Sequence, residues 1–369
     1  GVWIMAYTTI DDPTIYFNTV LFSGNETARS ITGIGFEPDW VWIKDRSQSY
    51  NHHLFDVIRS ATKRLKYPLG GSVNGSDTTD AESTNAQTLT AFNSDGFSLG
   101  TDNATNGNGS NVVSWNWKAG DSNTSVSSSG SGNNAINACT HRANTTAGFS
   151  IVKYTGLNSE ISNGQKTKVT HGLGAKPDFL IIKNKDSSSN WIVTRGIDND
   201  NHGVLNNTDA FSGSLFTGNQ RDHSDSTHFV VGNEGAVNAN GDEFIAYVFA
   251  EKQGFSKFGT YTGNGSSTDG PFVFTGFKAA WIMIKELNGA DTWVIYDNKR
   301  IGYNTANHTL EADGSGAEGT ATDRFNILSN GFKITFNWTP INTSGQNYLF
   351  MAFAESPFVS SNGIPTTAR

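Results

Sequence analysis

The sequence predicts an all-β protein: three tandem antiparallel jelly-roll-like β-sandwich modules with a short N-terminal arm. Three observations carry this. One strand-like stretch is written three times, as "FEPDWVWIK" (36–44), "AKPDFLIIK" (175–183) and "FKAAWIMIK" (277–285). Short runs that alternate or stay apolar stop at Gly, Asn, Asp or Ser, the pattern of strands joined by tight turns. The 369-residue chain holds 40 Gly but only 8 Pro, and long Leu/Ala/Glu/Lys stretches are missing, which suits strands and turns better than helices.

The stretches end on Lys44, Lys183 and Lys285, and these spacings suit whole domains rather than solenoid turns. Other segments recur in the same order. A glycine turn comes first, in "LFSGN", "KYTGL" and "TYTGNG". After the lysine and a polar loop comes a second strand, in "HHLFDVIR", "NWIVTRG" and "DTWVIYDNKR". "SDGF" and "SNGF" signal hairpins with Asp-Gly or Asn-Gly in a type I′ turn. An aromatic strand closes each module, in "VVSWNWKAG", "EFIAYVFAEKQG" and "NYLFMAFAESPF". About half of the strand aromatics, among them Trp40, Trp42, Trp115, Trp117, Trp281 and Trp293, should fill the space between the two sheets of a sandwich. One short helix is expected near "LFDVIRSATKRL".

These marks divide the chain. Residues 1–18 form the arm, 19–119 module one, 120–147 a Ser/Gly-rich linker, 148–254 module two and 255–369 module three. The arm carries Tyr7, Asp11, Asp12, Pro13, Tyr16 and Phe17, and an extended segment docking on a neighbour is the reading it supports. The opening residues lack the basic start and long apolar core of a secretory signal.

Charged residues are 16% of the chain and the formal net charge is −8, so nucleic acid is not an expected partner. No apolar run reaches the length of a membrane helix, so membrane insertion is not expected. Cys139 is the single cysteine, which excludes an internal disulfide and a thiolate cluster; a small buried side chain is its expected role.

"YTTIDDPTIYFNT", "GFEPDWVWIKDRS", "HHLFDVIR", "VVSWNWKAG", "WVIYDNKR" and "YLFMAFAESPF", taken together and in order, resemble a family of structural proteins of marine bacteriophages, described as tail, fibre or virion proteins. Each module also resembles the SPRY/concanavalin-type sandwich, used mainly to bind proteins or glycans. The resemblance implies a non-enzymatic virion protein that is made in the host cytoplasm and docks by its arm. Its modules would be displayed as a tail or fibre adhesin or a capsid decoration. It also implies other virion proteins as partners and a homo-oligomer. The sequence departs from the family where Ser60 follows Arg59 and where Asn116 replaces a Cys. Module two has drifted most.

For a glycan on the host surface, Trp338 between polar loops and Tyr50, Asn51 and His52 have suitable side chains. Glycan hydrolysis would need two carboxylates at a suitable separation. Asp11, Asp12, Glu82, Glu311 and Glu318 are the candidates, and none recurs between modules. No cofactor is expected. Asp198, Asp200, His202, Gly203 and Asp209 mimic the spacing of a calcium loop, yet His is a poor calcium ligand and no helices flank it. An Asx-rich hairpin loop is the competing reading.

Overall fold

The computed structural model describes residues 7–67, 80–158, 166–195, 201–213, 224–301, 304 and 306–366. It is almost entirely antiparallel β-structure, as the repeated strands predict. Each module has a large sheet whose centre is the lysine-ended strand, flanked by the closing aromatic strand and by the strand after the polar loop. In module one Trp40–Asp45 lies between Asn111–Trp117 and His52–Asp56. In module two Phe179–Asn184 lies between Glu243–Phe249 and Ile192–Arg195. In module three Phe277–Glu286 lies between Asn347–Pro357 and Val294–Asp297. A small sheet covers the outer face in modules one and two, through Arg29–Thr32 with Gly96–Leu99 and Thr167–Thr170 with His228–Val231. In module three Phe272–Phe274 with Gly331–Ile334 takes that place.

The registers place the three central strands in equivalent positions. Trp40 faces Trp117 and Asp56, Phe179 faces Phe249 and Arg195, and Trp281 faces Phe353 and Asp297. Side chains alternate across a strand, so each central strand feeds two cores. Val41 and Ile43 join a module-one core with Ile31, Phe55, Phe97 and Leu99. Modules two and three have matching private cores around Leu180 and Ile182 and around Ile282 and Ile284.

The other phase of each strand enters a fourth core shared by all three modules. Trp40, Trp42, Trp115 and Trp117 meet Phe179, Ile181, Tyr247 and Phe249, and both groups meet Trp281, Met283, Met351 and Phe353. Trp40 stacks on Tyr247 with ring centroids 4.2 Å apart, Trp117 meets Trp281 edge-on at 5.7 Å, and Phe249 meets Phe353 at 5.8 Å. All six tryptophans expected to divide between sheets therefore lie in this one shared cluster. The buried residues of the three private cores include no indole; aliphatic, Phe and Tyr side chains fill the space between each large sheet and its small cover.

Three further expectations are corrected. Residues 120–147 are not a free linker, because Thr124–Val126 and Cys139–Asn144 are strands of module two's sheet. The segment expected to be helical forms His52–Asp56 and Lys63–Tyr67, with Ser60 and Thr62 in the left-handed region between them. In the hairpins Asn93 pairs with Gly96 and Leu328 with Gly331, so Ser94–Asp95 and Ser329–Asn330 make the turns and the glycines follow them. Those glycines are set instead by close approach of a neighbouring strand: a Cβ on Gly96 would strike the Ile31 carbonyl, and one on Gly331 the Val273 carbonyl.

Nor is the N-terminal segment a separate arm. Among its described residues, Phe17 begins the Phe17–Ser23 strand, paired with Trp117. Ile10 and Pro13 are buried, Tyr7 Oη donates to the Gly276 carbonyl at 2.9 Å, and Asp11 accepts from the Ser361 amide at 2.6 Å. Tyr16 packs edge-on to Phe255. The segment's apolar side chains are satisfied on module three of the same chain. No helix among the described residues is long and apolar enough to cross a membrane.

Truncating Trp40 to Ala should cost the whole protein about 3–5 kcal/mol. Chemical denaturation of the Trp40→Ala variant measures this; a cost below about 1 kcal/mol would contradict the shared core.

Candidate functional site

The lysines that mark the repeat have a structural task. Lys44, Lys183 and Lys285 are buried, and each ammonium donates back to its own loop. Lys44 Nζ reaches the Asp45 and Gln48 carbonyls at 2.6 and 3.3 Å. Lys183 reaches Asn184 and Ser187 at 2.6 and 2.7 Å, and Lys285 reaches Glu286 and Gly289 at 2.8 and 3.0 Å. The lysine ties down the polar loop that leaves its strand. Burial pushes Lys44 and Lys285 down to about 8 and Lys183 down to about 7.

A second triplet escaped the sequence reading. Asn106, Asn238 and Asn342 end the short helices Asn103–Asn106, Gly235–Asn238 and Thr339–Asn342, and all three are fully buried. Each amide oxygen accepts from the residue after a repeated glycine: Asn25, Leu157 and Asn264 donate at 3.2, 2.9 and 2.9 Å. Each amide nitrogen donates to nearby carbonyls, among them Gly100, Gly232 and Phe336. The glycines before those donors, Gly24, Gly156 and Gly263, leave no room for a Cβ against the backbone after the helix. The recurrent "SGN", "TGL" and "TGN" were the visible half of this device.

Charged groups fasten the seams between modules. At the seam of modules one and two, Arg59 pairs with Asp56 at 2.5 Å, both side chains fully buried, and reaches Glu82 at 3.3 Å. Tyr247 Oη donates to Asp56 at 2.9 Å, and the Glu82 amide donates to the Lys185 carbonyl at 2.7 Å. At the seam of modules three and one the arrangement repeats. Arg300 pairs with Asp297 at 2.6 Å and with Glu318 at 3.0 Å, and Trp115 Nε1 donates to Asp297 at 3.0 Å. The Glu318 amide donates to the Arg46 carbonyl at 2.8 Å, and its carboxylate also binds the Arg46 guanidinium at 2.6 Å. Burial pushes the Glu318 carboxyl up, but Arg46, Arg300 and His308 outweigh it and hold it below the usual range.

The third seam keeps the backbone bond and changes the chemistry. The Phe211 amide donates to the Leu287 carbonyl at 2.9 Å, so Phe211 stands where Glu82 and Glu318 stand. Arg195 replaces the aspartate and lies against the Phe211 ring at 5.9 Å. Met351, which has no proton to donate, holds the place of Trp115 and Tyr247. Acid, acceptor and donor have all been replaced together.

The residues expected to bind ligands separate. His52 is buried: it accepts from Trp42 Nε1 at 2.7 Å, and its other nitrogen lies 3.1 Å from the Glu311 carbonyl. Burial, then Lys44, holds it well below the ordinary histidine value, so it is neutral and structural. Tyr50 is exposed and Asn51 half-buried on the Lys44 loop. Trp338 is half-buried, with the Arg324 guanidinium 3.8 Å above its ring. That cation covers a ring face that a sugar would need. Asp198 and Asp200 lie outside the described residues, and Asp209 closes an Asx turn with Asn207. Among the described residues no three His, Cys, Asp or Glu are placed to hold a metal. Cys139 is buried, and burial pushes its thiol up to about 11, which makes it a poor nucleophile. Glu286, not singled out from sequence, is pushed up to about 7 by burial and then by its hydrogen bond to Asp291.

The described residues also line an open cleft. A cleft of about 290 Å³ in module two lies between Ser189 and Asn190 of the Lys183 loop, His202 and Val204, and Glu234. The Lys183 loop corresponds to the Lys44 loop that carries Tyr50 and Asn51, and Glu234 precedes its short helix as Trp338 precedes the one in module three.

Replacing Lys183 by Met should destabilise the protein by about 1–3 kcal/mol, because two carbonyls lose their donor. The loss should grow with pH. The folded lysine sheds its proton above about 7, whereas an unfolded lysine keeps its proton to 10.5. The unfolded chain thus binds more protons in that window, and the lysine's contribution rises across it. Urea unfolding of both proteins at pH 6 and pH 9 tests this; a gap that shrinks with pH would refute it.

Comparison with curated proteins and with solved structures returns no match. A family model, "Domain of unknown function (DUF7483)", matches residues 12–357 as one span. That span takes in all three modules and the shared core, and the chain belongs to this DUF7483 family.

Proposed function

We propose that this chain is a non-enzymatic structural protein of a bacteriophage particle, a rigid three-module body displayed on the particle surface. The supporting observation is that the three modules close on one aromatic core and that at two of the three seams a buried ion pair of one module accepts a hydrogen bond from the next. Such a body resists deformation and offers its outer loops, which suits a tail, fibre or capsid-decoration role. The sequence resemblance to virion proteins points the same way. Assembly with other virion proteins and into a symmetric homo-oligomer belongs to this reading.

The acids considered for glycan cleavage already have partners or structural surroundings. Glu82 and Glu318 are in ion pairs, Asp11 is bonded to Ser361 and Asp12 caps the Pro13–Ile15 turn. Burial raises the Glu311 carboxyl, and its carbonyl faces His52. These placements favour a scaffold over a hydrolase. Recognition of a host glycan is the second reading, and the module-two cleft with its serine and asparagine supports it.

Gold-labelled antibody against this protein, applied to intact particles of a phage encoding it, tests the proposal by electron microscopy. Label on tail or head is the expected result. Unlabelled particles, with the protein found only in the lysate, would overturn it.

A further inference from the structure

The dipeptide Asn-Gly occurs nine times in the chain, and seven of the nine lie among the described residues. The pair carries its own chemistry. The glycine nitrogen can attack the amide carbon of the asparagine side chain, because glycine has no side chain to obstruct the approach. The attack needs two freedoms: a glycine N–H without an acceptor, and an asparagine side chain that can turn toward it.

Six of the seven pairs lack one or the other. The amides of Gly107, Gly109, Gly241 and Gly363 donate to the carbonyls of Asn103, Gly24, Gly156 and Ser360, each at 3.0 Å. Gly331 is a strand residue, paired with Phe274 on one side and Leu328 on the other. Asn264 has its side chain held at both ends: it accepts from the Ser266 amide at 2.9 Å and donates to the Asp269 carbonyl at 2.8 Å. Asn288 and Gly289 differ from these. Asn288 is exposed, and among the described residues neither its side chain nor the Gly289 N–H has a hydrogen-bond partner.

The repeat explains the difference. Lys44 and Lys285 donate to the carbonyls of Gln48 and Gly289, so these two loop residues are equivalent. In module one Asp45 Oδ1 accepts from the amides of Ser47 and Gln48 at 2.7 and 3.0 Å, an Asx turn that caps the loop. In module two Asn184 accepts from the Asp186 amide at 2.9 Å. Module three has Glu286 in that place, one methylene longer. Its carboxyl bonds to Asp291 and lies so close to Gly289 that a Cβ there would strike it. The amide that Asp45 caps in module one is left open in module three.

We propose that Asn288 is a site of self-modification. The Gly289 nitrogen bonds to Asn288 Cγ, the Cγ–Nδ2 bond breaks, and Nδ2 leaves as ammonia with the proton that Gly289 gives up. The product is a cyclic succinimide. Water opens it at one carbonyl or the other and leaves aspartate or isoaspartate at position 288. The new carboxylate joins Glu286 and Asp291 in the loop whose Leu287 carbonyl accepts from Phe211 across the seam of modules two and three.

The test holds the full chain at mildly alkaline pH and follows it over days by peptide mapping with mass spectrometry, isoaspartate being counted by enzymatic methylation. Asn288 should convert first. The six other described pairs should lag by about tenfold, because an N–H or a side chain must first give up its partner there. Asn108 and Asn362 are the closest comparisons, since both are exposed as Asn288 is. In denaturing urea the preference should vanish. Glu286→Asp restores the shorter acid of module one and should slow conversion at Asn288 about tenfold, with its unfolding midpoint measured alongside. Conversion at Asn288 no faster than at Asn108 and Asn362 in the folded parent protein would overturn the inference, whatever the variant does. Undiminished conversion in folded Glu286→Asp would overturn it as well.

Discussion

The contact of three aromatic sheet faces on one another is the interaction on which the remaining structure depends. Trp40 on Tyr247, Trp117 on Trp281 and Phe249 on Phe353 join the modules pairwise, and no module can bury its own indoles alone. The private cores mix aliphatic side chains with Phe and Tyr, whereas the buried indoles all lie in the shared one. Large rings bury the most apolar area per side chain, so a large share of the hydrophobic stabilisation lies between modules. Modules that depend on one another in this way form one domain, and the single family span over residues 12–357 agrees with that.

Close packing of the sheets brings polar groups into the seams, where each needs a partner. Asp56 with Arg59 and Asp297 with Arg300 are such solutions, each completed by a donor from the next module. Removing one member of such a set strands the others, which makes partial change costly. The third seam shows the other stable outcome. There Phe211, Leu287 and Met351 stand where Glu, a basic residue and a ring donor stand elsewhere, and Arg195 lies against Phe211. This seam thus departs from the other two, while the lysine and asparagine that fix module two's loops are kept.

The repeats, the strands and the all-β class were legible from the chain because turns and alternation are local signals. The shared core was not, because a strand buried on both faces reads as one continuous apolar run. A finer signal was present. Trp40 and Trp42 alternate with Val41 and Ile43, and Trp281 and Met283 alternate with Ile282 and Ile284, so the bulkier residues keep to one phase. Phase alone does not say what lies opposite, and sandwich partners were the nearest assumption. The recurrent lysines were found but their role was not, since a tie to backbone carbonyls leaves no mark on the residues that accept. His52 was misread because its neighbours are polar in sequence, while its partners, Trp42 and Glu311, come from an adjacent strand and another module.

Amide hydrogen exchange of the three central strands tests the shared core most directly. Under conditions where exchange reports opening equilibria, the strands Trp40–Asp45, Phe179–Asn184 and Phe277–Glu286 should share one opening free energy, equal to that of global unfolding. Three separate values, with one strand exchanging by an opening that leaves the other two protected, would show independent modules and contradict the account.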